Sequence, residues 1–473
     1  MTKFGRRKFL STGLIASSAT VGSSIFLQSC APDFAAIDAA LQSGNQSGNQ
    51  SGNQSDSSSD TSSENAQSAA KGNSAERDPN AVEPPSSQAD TIKVGMLHSL
   101  SGSMALSEIP VVDAELLAIE EINASGGLLG KRLVPVKEDG ASDWPTFAEK
   151  AEKLIDSGVS VIFGGLTSES RKAILPVVTA NNSLLWYPGA YEGQECSDHI
   201  FYAGATANQQ IMPAIKWMIG NRGKTFFLVS SNARTTHEIA KAQIKAYGGK
   251  LAGEAFVPLA NGENADMTPL MNDIKKSLPA GGIIFNALVG SHNRLFFRAL
   301  DGAGLTSERH LVMSVRLSET DVADIGANFV AGHYAAWNYF QTIESPENKA
   351  WVDKFKGQYG SDRIVGAPMA SAYAMVHLWA KAVAAARSTQ AEAVRRASYG
   401  QTFQAPEGLV TIEPNHHTTK ALRIAQVQAD GLFEILHTDK SAIAPEPWSQ
   451  ALAASKGLAC DWSDPEKGGK YVR

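Results

Sequence analysis

The sequence predicts an α/β protein built from two doubly wound lobes that face each other across a cleft. Strand and helix patterns alternate strictly from Thr91 to about Tyr187, and the same alternation restarts after Asn208. The chain has 473 residues, of which 43% are hydrophobic, so it is too long for one core and apolar enough for two. Open parallel sheets bind ligands at the carboxyl ends of their strands, and in this arrangement two such edges meet at the cleft.

The first unit opens with a strand in which Ile92, Val94 and Met96 alternate with Lys93 and Gly95. A glycine pair ends the first predicted helix, and a proline in its first turn marks the start of the second. The remaining elements of this unit are helices around 114–122, 145–155 and 170–181, and strands at 133–136, 159–163 and 183–187.

The second unit repeats the pattern with similar spacing. Its predicted helices cover 210–219, 238–247, 267–278 and 293–303, and its strands cover 225–229, 251–258, 282–288 and 310–314.

The N-terminus is typical of an exported protein. Residues 1–29 contain Gly5-Arg6-Arg7-Lys8-Phe9-Leu10 before a weakly apolar stretch, which predicts a twin-arginine signal peptide; a basic start before a disordered arm is the alternative. Leu27-Gln28-Ser29-Cys30 is similar to a lipoprotein cleavage site, so we expect lipidation of Cys30, with an incidental cysteine as the alternative. The expected location is extracytoplasmic, with the protein anchored to the membrane through that lipid.

Residues 30–90 predict a disordered tether. Three copies of Ser-Gly-Asn-Gln run from Ser43 to Gln54, and the rest is rich in Ser, Asp, Asn and Pro. Such a composition buries too little apolar area to offset the entropy of ordering the chain. The two remaining cysteines, Cys196 and Cys460, are far apart in sequence, and we expect them to be unpaired.

The sequence carries no sign of catalysis, of a cofactor or of a nucleic-acid partner. The net charge is −6, and no basic stripe with interleaved aromatic residues occurs. A zinc-helix pattern that begins at His237-Glu238 fails at Lys241, and Gly223-Lys224-Thr225 lacks the leading glycine of a phosphate loop. His416-His417 is more typical of a turn than of a metal site, so no catalytic residue and no metal site is predicted.

Hydroxyl-rich turns follow several strands of the first unit. Residues 99–103, 164–168 and 187–193 combine Ser, Thr, Tyr and Gly just where strands end. Helix capping and turn formation explain each of these turns taken singly. Their coincidence at one edge of a sheet indicates a ligand-binding cleft.

The same segments resemble the urea-binding component of ABC transporters, in the urea and short-chain amide branch of type I periplasmic binding proteins. The resemblance runs from Thr91 to Pro445 and rests on the motifs at 98–102, 138–145, 167–172, 191–193, 208–210, 332–340 and 405–408. It implies two Rossmann-like lobes joined by three crossovers, which close on a ligand. The implied division is 91–208 with 339–401 for lobe 1, 209–338 with 402–437 for lobe 2, and a C-terminal extension at 438–473.

The resemblance also implies which residues bind the ligand. Ser168 stands at the position of the family's ligand-binding serine, and Tyr187-Pro188 at its Tyr-Pro loop. The complete expected set is Ser99, Ser101, Leu166, Thr167, Ser168, Tyr187, Pro188, Gly189, Tyr191, Ser231, Asn232, Gly290 and Ser291.

Departures from the family pattern concern the ligand. Leu166 replaces an aromatic residue, Gly189 and Ala190 replace larger ones, and a Gly-Ser-Asp-Tyr turn is replaced by a shortened turn at 230–234. We therefore expect an amide-like solute larger than urea, and the expected partners are this small molecule, a transporter permease and the membrane. The same fold also serves sensors of amides or branched amino acids, which is the alternative.

Overall fold

The computed structural model describes residues 91–231, 234–258 and 264–473. The predicted signal peptide, the tether with Cys30, and Asn232 lie outside these ranges. The described residues form two main β-sheets whose faces are covered by helices. Within these ranges, no helix combines the length and the apolar character needed to cross a membrane.

The first sheet has five parallel strands in the order β2-β1-β3-β4-β5. Its strands are β1 (Thr91–His98), β2 (Arg132–Asp139), β3 (Ile162–Gly164), β4 (Leu185–Tyr187) and β5 (Ile200–Tyr202). Its helices are α1 (Ala105–Ala124), α2 (Trp144–Asp156) and α3 (Ser168–Ala180), joined later by α10 (Pro346–Tyr359), α11 (Ala367–Ala386) and α12 (Ala391–Ser398). Lys354 and Tyr373 from the later helices both contact the Glu121 carboxylate of α1, at 2.7 and 2.5 Å, which places both chain segments in one lobe.

The second sheet is mixed and has seven strands in the order β15-β14-β10-β9-β8-β6-β7. Its strands are β6 (Thr225–Ser230), β7 (Lys250–Phe256), β8 (Gly282–Ala287), β9 (His310–Ser314), β10 (Tyr334–Trp337), β14 (Arg423–Val427) and β15 (Phe433–Thr438). Its helices are α4 (Ile211–Asn221), α5 (Arg234–Ala246), α6 (Thr268–Ser277), α7 (Ser291–Gly302), α8 (Glu319–Ile325) and α9 (Ala327–Val330). The predicted α/β alternation is confirmed, and the antiparallel pairs β10–β14 and β14–β15 add an edge to the parallel part.

Three chain segments connect the lobes: one after β5, one after β10 and one before β14. Hydrogen bonds between these segments, and from them to the second lobe, hold the crossover region together. Gln210 Nε2 donates to the carbonyls of Val315 and Ala336 at 3.1 and 2.6 Å. Asn338 Nδ2 donates to the carbonyl of Ala421 at 2.8 Å. These bonds satisfy side-chain donors that would otherwise be buried without partners.

Two small sheets complete the fold. β11 (Thr402–Ala405), β12 (Gly408–Ile412) and β13 (Thr418–Thr419) form an antiparallel sheet of their own, so within 402–437 only β14 and β15 join the second sheet. β16 (Leu458–Asp461) and β17 (Gly469–Val472) form a hairpin near the C-terminus. The implied lobe boundaries stay a prediction.

The expectation that Cys196 and Cys460 are unpaired is wrong, because the two form a disulfide across 264 residues of sequence. The C-terminal extension packs beside the loop that carries Cys196, and the Gln194 N–H donates to the Pro447 carbonyl at 2.6 Å. A distance along the chain says nothing about a distance in space once a terminal segment folds back on the body. Only the tertiary structure could bring these sulfur atoms together.

Candidate functional site

A cavity of about 280 Å³ lies between the lobes, where the carboxyl ends of strands from both sheets meet. The first lobe contributes Met104, Ser107, Leu166, Thr167, Ser168, Glu169, Lys172, Ala190, Glu192 and Pro368. The second lobe contributes Ser231, Arg234, Thr235, Thr236, Ala287, Val289, Gly290, Arg316, Ser318, Thr320, Asp321 and Trp337. The cavity is therefore a cleft shared by both lobes, as the sequence predicts.

Five of the expected ligand-binding residues line this cavity: Leu166, Thr167, Ser168, Ser231 and Gly290. They come from the ends of three strands in two different sheets, and the fold brings them to one place. Their contact with a ligand stays a prediction.

Two expected residues at the end of β1 are engaged elsewhere. Ser99 is fully buried, and its Oγ accepts the Ser142 N–H at 3.2 Å. Ser101 is exposed, and its hydroxyl donates to the Asp139 carboxylate at 2.7 Å. Both residues stabilise the turn between β1 and α1 and lie outside the cavity lining.

In the Tyr187–Tyr191 loop, Ala190 lines the cavity, whereas Tyr187, Pro188 and Gly189 lie outside the lining. The Tyr187 hydroxyl donates to the Leu166 carbonyl at 2.8 Å, and Pro188 is buried. A Cβ on Gly189 would lie 2.4 Å from the Tyr187 hydroxyl oxygen and 2.6 Å from the Leu166 carbonyl oxygen. Glycine is therefore needed at 189 for close packing of this loop, whereas the sequence analysis assigned it to a wider pocket.

Tyr191 belongs to a buried stack of aromatic rings. Its hydroxyl lies 2.5 Å from His417 Nε2, and the other ring nitrogen of His417 lies 2.7 Å from the Asn415 carbonyl oxygen. Burial lowers the pKa of His417 to about 3, so the ring is neutral. Nδ1 then carries the hydrogen that it donates to Asn415, and Nε2 accepts from Tyr191.

Ser291 is also expected in the site, but it is the buried first residue of α7 and lies outside the cavity lining.

The N-terminus of α3 forms a polar edge of the cavity. The Thr167 hydroxyl oxygen accepts the Ser170 N–H at 3.1 Å and caps the helix. The first N–H groups of a helix have no acceptor within it, so those of Ser168 and Glu169 are available to an acceptor in the cavity. The positive end of the helix dipole points the same way, which favours a carbonyl or an anionic oxygen at this place.

The Ser168 hydroxyl is held by neighbouring charged groups. It donates to Glu192 Oε2 at 2.7 Å and accepts from Arg171 Nη1 at 3.2 Å. Arg171 is fully buried, pairs with Glu195 at 2.9 Å and lies over the Tyr191 ring at 4.3 Å. Burial raises the pKa of Glu195, but the Arg171 guanidinium outweighs burial and holds that pKa below its usual range.

Charged residues of the second lobe face the same cavity, and the sequence analysis did not identify them. Arg316 and Asp321 follow β9, and Arg234 begins α5 after β6. Asp321 Oδ2 accepts the N–H and hydroxyl of Ser318 at 2.8 and 2.6 Å, yet burial raises the pKa of Asp321 to about 6. Because these residues come shortly after strand ends, their place in the sequence could have indicated a position in the cleft, but the prediction rested on hydroxyl-rich turns.

Comparisons with known proteins agree with this architecture. The family profile "Periplasmic binding protein domain" matches residues 92–454. A leucine-, isoleucine-, valine-, threonine- and alanine-binding protein of Pseudomonas aeruginosa is 26% identical over 330 residues, which cover 68% of this chain and 85% of that protein. A limonene hydroxylase of Geobacillus stearothermophilus is 35% identical over 123 residues, but this match spans only 23% of the hydroxylase and 26% of this chain.

Solved structures match over most of the described chain. A solute-binding protein of an ABC transporter from Rhodopseudomonas palustris, in complex with 4-hydroxybenzoate, superposes with a TM-score of 0.68 at 24% identity and covers 75% of this chain and 98% of that one. A branched-chain amino acid transporter substrate-binding protein from Streptococcus pneumoniae, in complex with isoleucine, has a TM-score of 0.64 at 22% identity, with 75% and 100% coverage. At these identities the likeness shows the type I fold, and the family implies an extracytoplasmic location. The chain therefore belongs to the family of periplasmic binding protein domains and is a solute-binding protein of the type I fold.

Proposed function

We propose that this protein is the solute-binding component of an ABC transporter and captures a small solute with a planar polar head group: an amide, a urea or a carboxylate. The observation that carries the proposal is the interlobe cavity with the N-terminus of α3 in its wall. The N–H groups of Ser168 and Glu169 suit the oxygen of any of these three groups. The Trp337 side chain and Leu166 supply apolar surface for the rest of the solute.

The size of the cavity favours a solute larger than urea. Its volume of about 280 Å³ is close to the lower end of the range for small-molecule pockets, roughly 300–1,000 Å³. Urea has four heavy atoms, and at about −1.5 kcal/mol per atom its binding free energy cannot exceed roughly −6 kcal/mol. A larger solute gains about 0.8 kcal/mol for each buried CH₂ group. We infer that an alkyl or aryl compound binds more tightly than urea.

The ligand proposal is tested by calorimetry on the purified full chain. The panel contains urea, acetamide, butyramide, butyrate, leucine and 4-hydroxybenzoate. We expect at least one of the larger compounds to bind more tightly than urea. Tighter binding of urea would contradict the size argument, and the absence of binding by every compound at millimolar concentration would contradict the proposed function.

A lipid anchor would keep the binding protein close to its permease. We propose that Cys30 is lipidated after export through the twin-arginine signal, and that the segment 31–90 tethers the lobes to the membrane. Stable anchoring takes more than one acyl chain, because a single chain holds a membrane only marginally. Mass spectrometry of the mature N-terminus and detergent partitioning of Cys30→Ala test this. An unmodified N-terminus in the native protein would exclude the anchor.

A further inference from the structure

Arg316 occupies an unusual position between the lobes. It lies two residues beyond the end of β9, in the second lobe, and its half-buried side chain lines the cavity. Its Nη1 donates a hydrogen bond to the carbonyl oxygen of Ala190, which belongs to the first lobe. Arg316 thus contacts both walls of the cleft at the place where a solute would be enclosed.

The Arg316 guanidinium has no carboxylate partner among the described residues. A guanidinium has five N–H donors, and the Ala190 carbonyl uses one of them. A cation that is partly removed from water without a counter-charge is costly, so cavities usually supply an anion for it.

Three acidic residues line the same cavity, and two of them, Glu192 and Asp321, are engaged by other groups, whereas Glu169 lies in the first turn of α3 and forms no ion pair with Arg316. Glu192 accepts the Ser168 hydroxyl at 2.7 Å and lies 3.8 Å from Lys172 Nζ. Asp321 accepts both donors of Ser318. None of these three carboxylates pairs with the Arg316 guanidinium, whose remaining donors can therefore bind a solute.

We propose that Arg316 is a specificity-determining residue that selects a carboxylate over the neutral amide of the same shape. This inference rests on the proposed function and chooses among its three head groups. A carboxylate offers two coplanar oxygens to the parallel N–H groups of a guanidinium, and such charge-assisted pairs are about twice as strong as neutral hydrogen bonds. An amide presents one acceptor, and its NH₂ group faces the cation with the wrong polarity.

The same contact couples recognition to closure. The guanidinium binds the Ala190 carbonyl of the first lobe through Nη1, and the same residue lines the cavity. A carboxylate in the cleft is paired with the Arg316 guanidinium only when the second lobe is closed over it. A neutral amide gains less from closure, because it forms no ion pair with the second lobe.

Matched acid and amide pairs test this selection on the full chain. Calorimetry at pH 7.5 compares 4-hydroxybenzoate with 4-hydroxybenzamide, and butyrate with butyramide. In the native protein we expect the acid of at least one pair to bind about tenfold more tightly than its amide, a difference of about 1.4 kcal/mol. In Arg316→Gln this ratio should fall to near one, through weaker binding of the acid and little change for the amide.

Two further variants separate specificity from structure. Arg316→Lys keeps the charge but loses the planar fork, so it should retain part of the preference for the acid. Arg309→Gln removes an exposed arginine that precedes β9, at the opposite end of that strand from Arg316, and should leave the ratio unchanged. The thermal unfolding temperature of each variant shows whether a change in binding is accompanied by a loss of overall stability.

The possible outcomes are distinct. If an amide binds as tightly as its acid in the native protein, or if Arg316→Gln leaves the ratio unchanged, the inference fails while the proposed function stands. If neither member of either pair binds at millimolar concentration, the inference fails too. The wider panel of solutes then decides the proposed function separately.

Discussion

Replacement of His98 by Gln should strongly destabilise the first lobe. His98 ends β1 and lies between two carboxylates of α1: its Nε2 is 2.9 Å from Glu115 Oε1, and its Nδ1 is 3.2 Å from Glu108 Oε2. All three side chains are fully buried. The cluster thus joins the first strand to the helix whose N-terminal end borders the cavity.

The charge of His98 is set by these neighbours. Burial alone would lower the pKa of His98, but Glu115 and Glu108 together outweigh it and raise that pKa to about 10. A histidine in the unfolded chain has a pKa of about 6.5. The folded protein therefore keeps the imidazolium over a pH range in which the unfolded chain loses it.

The expected size of the effect follows from the loss of a buried counter-charge. Removal of one partner from a buried ion pair typically costs about 3–5 kcal/mol, because the other charge is left uncompensated. Here Glu108 Oε1 and Glu115 Oε2 already have no hydrogen-bond partner, so glutamine cannot compensate both carboxylates. We expect His98→Gln to lower the free energy of unfolding by an amount in that range near pH 7.

The pH dependence has a definite sign. Since the pKa of His98 is raised in the folded state, its contribution is fully present below about pH 6.5 and is lost as the pH rises towards 10. Unfolding by denaturant, followed by tryptophan fluorescence at pH 6, 7.5 and 9, measures this. The difference between native protein and variant should shrink at the highest pH.

A surface histidine provides the control. His437 is 39% exposed and pairs with Asp439 at 2.9 Å, so His437→Gln should change stability by less than about 1 kcal/mol. A loss of unfolding free energy in His98→Gln no larger than that in this control would contradict the assigned role of His98. A difference in unfolding free energy between the native protein and His98→Gln that grows from pH 6 to pH 9 would contradict it as well.

Three further predictions concern other parts of the fold. Lys420→Met should cost about 3–5 kcal/mol in denaturant unfolding because it strips the buried Glu407 of its partner, whereas Lys349→Met, in an exposed pair, should cost at most about 1 kcal/mol. Cys196→Ser should lower the free energy of unfolding by about 2–5 kcal/mol and weaken solute binding in calorimetry, since the disulfide secures the loop that leads to the cavity wall. An unchanged affinity would show that this loop does not contribute to binding. Ser168→Ala should weaken binding of the best solute several-fold and lower the free energy of unfolding by about 1–3 kcal/mol, because the buried Glu192 carboxylate loses a donor; equal affinity would remove the hydroxyl from the site.

The order of strands and helices was predictable because local patterns determine it. Residues 92–96 alternate in polarity, Pro145 stands in the first turn of α2, and both units repeat the same strand and helix spacing. Periods of two and 3.6 residues reflect burial on one face, which a chain shows before it folds. The two-lobed α/β architecture followed from these patterns, and the family motifs indicated the three crossovers.

The composition of the site was predictable only in part. Thr167 and Ser168 were found because they follow a buried strand and begin a helix, a local arrangement that places them at the edge of a parallel sheet. Tyr187 ends a strand and Gly189 follows it closely, yet both pack behind the wall, because the Tyr187 hydroxyl donates to the Leu166 carbonyl. The direction of a side chain in a loop depends on tertiary contacts that no periodicity encodes.

Local sequence patterns were enough to predict the fold class, a cleft and one polar edge of that cleft, since each depends on neighbours within a few residues. The pairing of Cys196 with Cys460 and the contact of Arg316 with Ala190 across the lobes arise only from the packing of the folded chain. Both contacts join residues more than a hundred positions apart. Their geometry depends on how whole elements pack, because the entropy of the intervening chain is offset only when the complete fold forms.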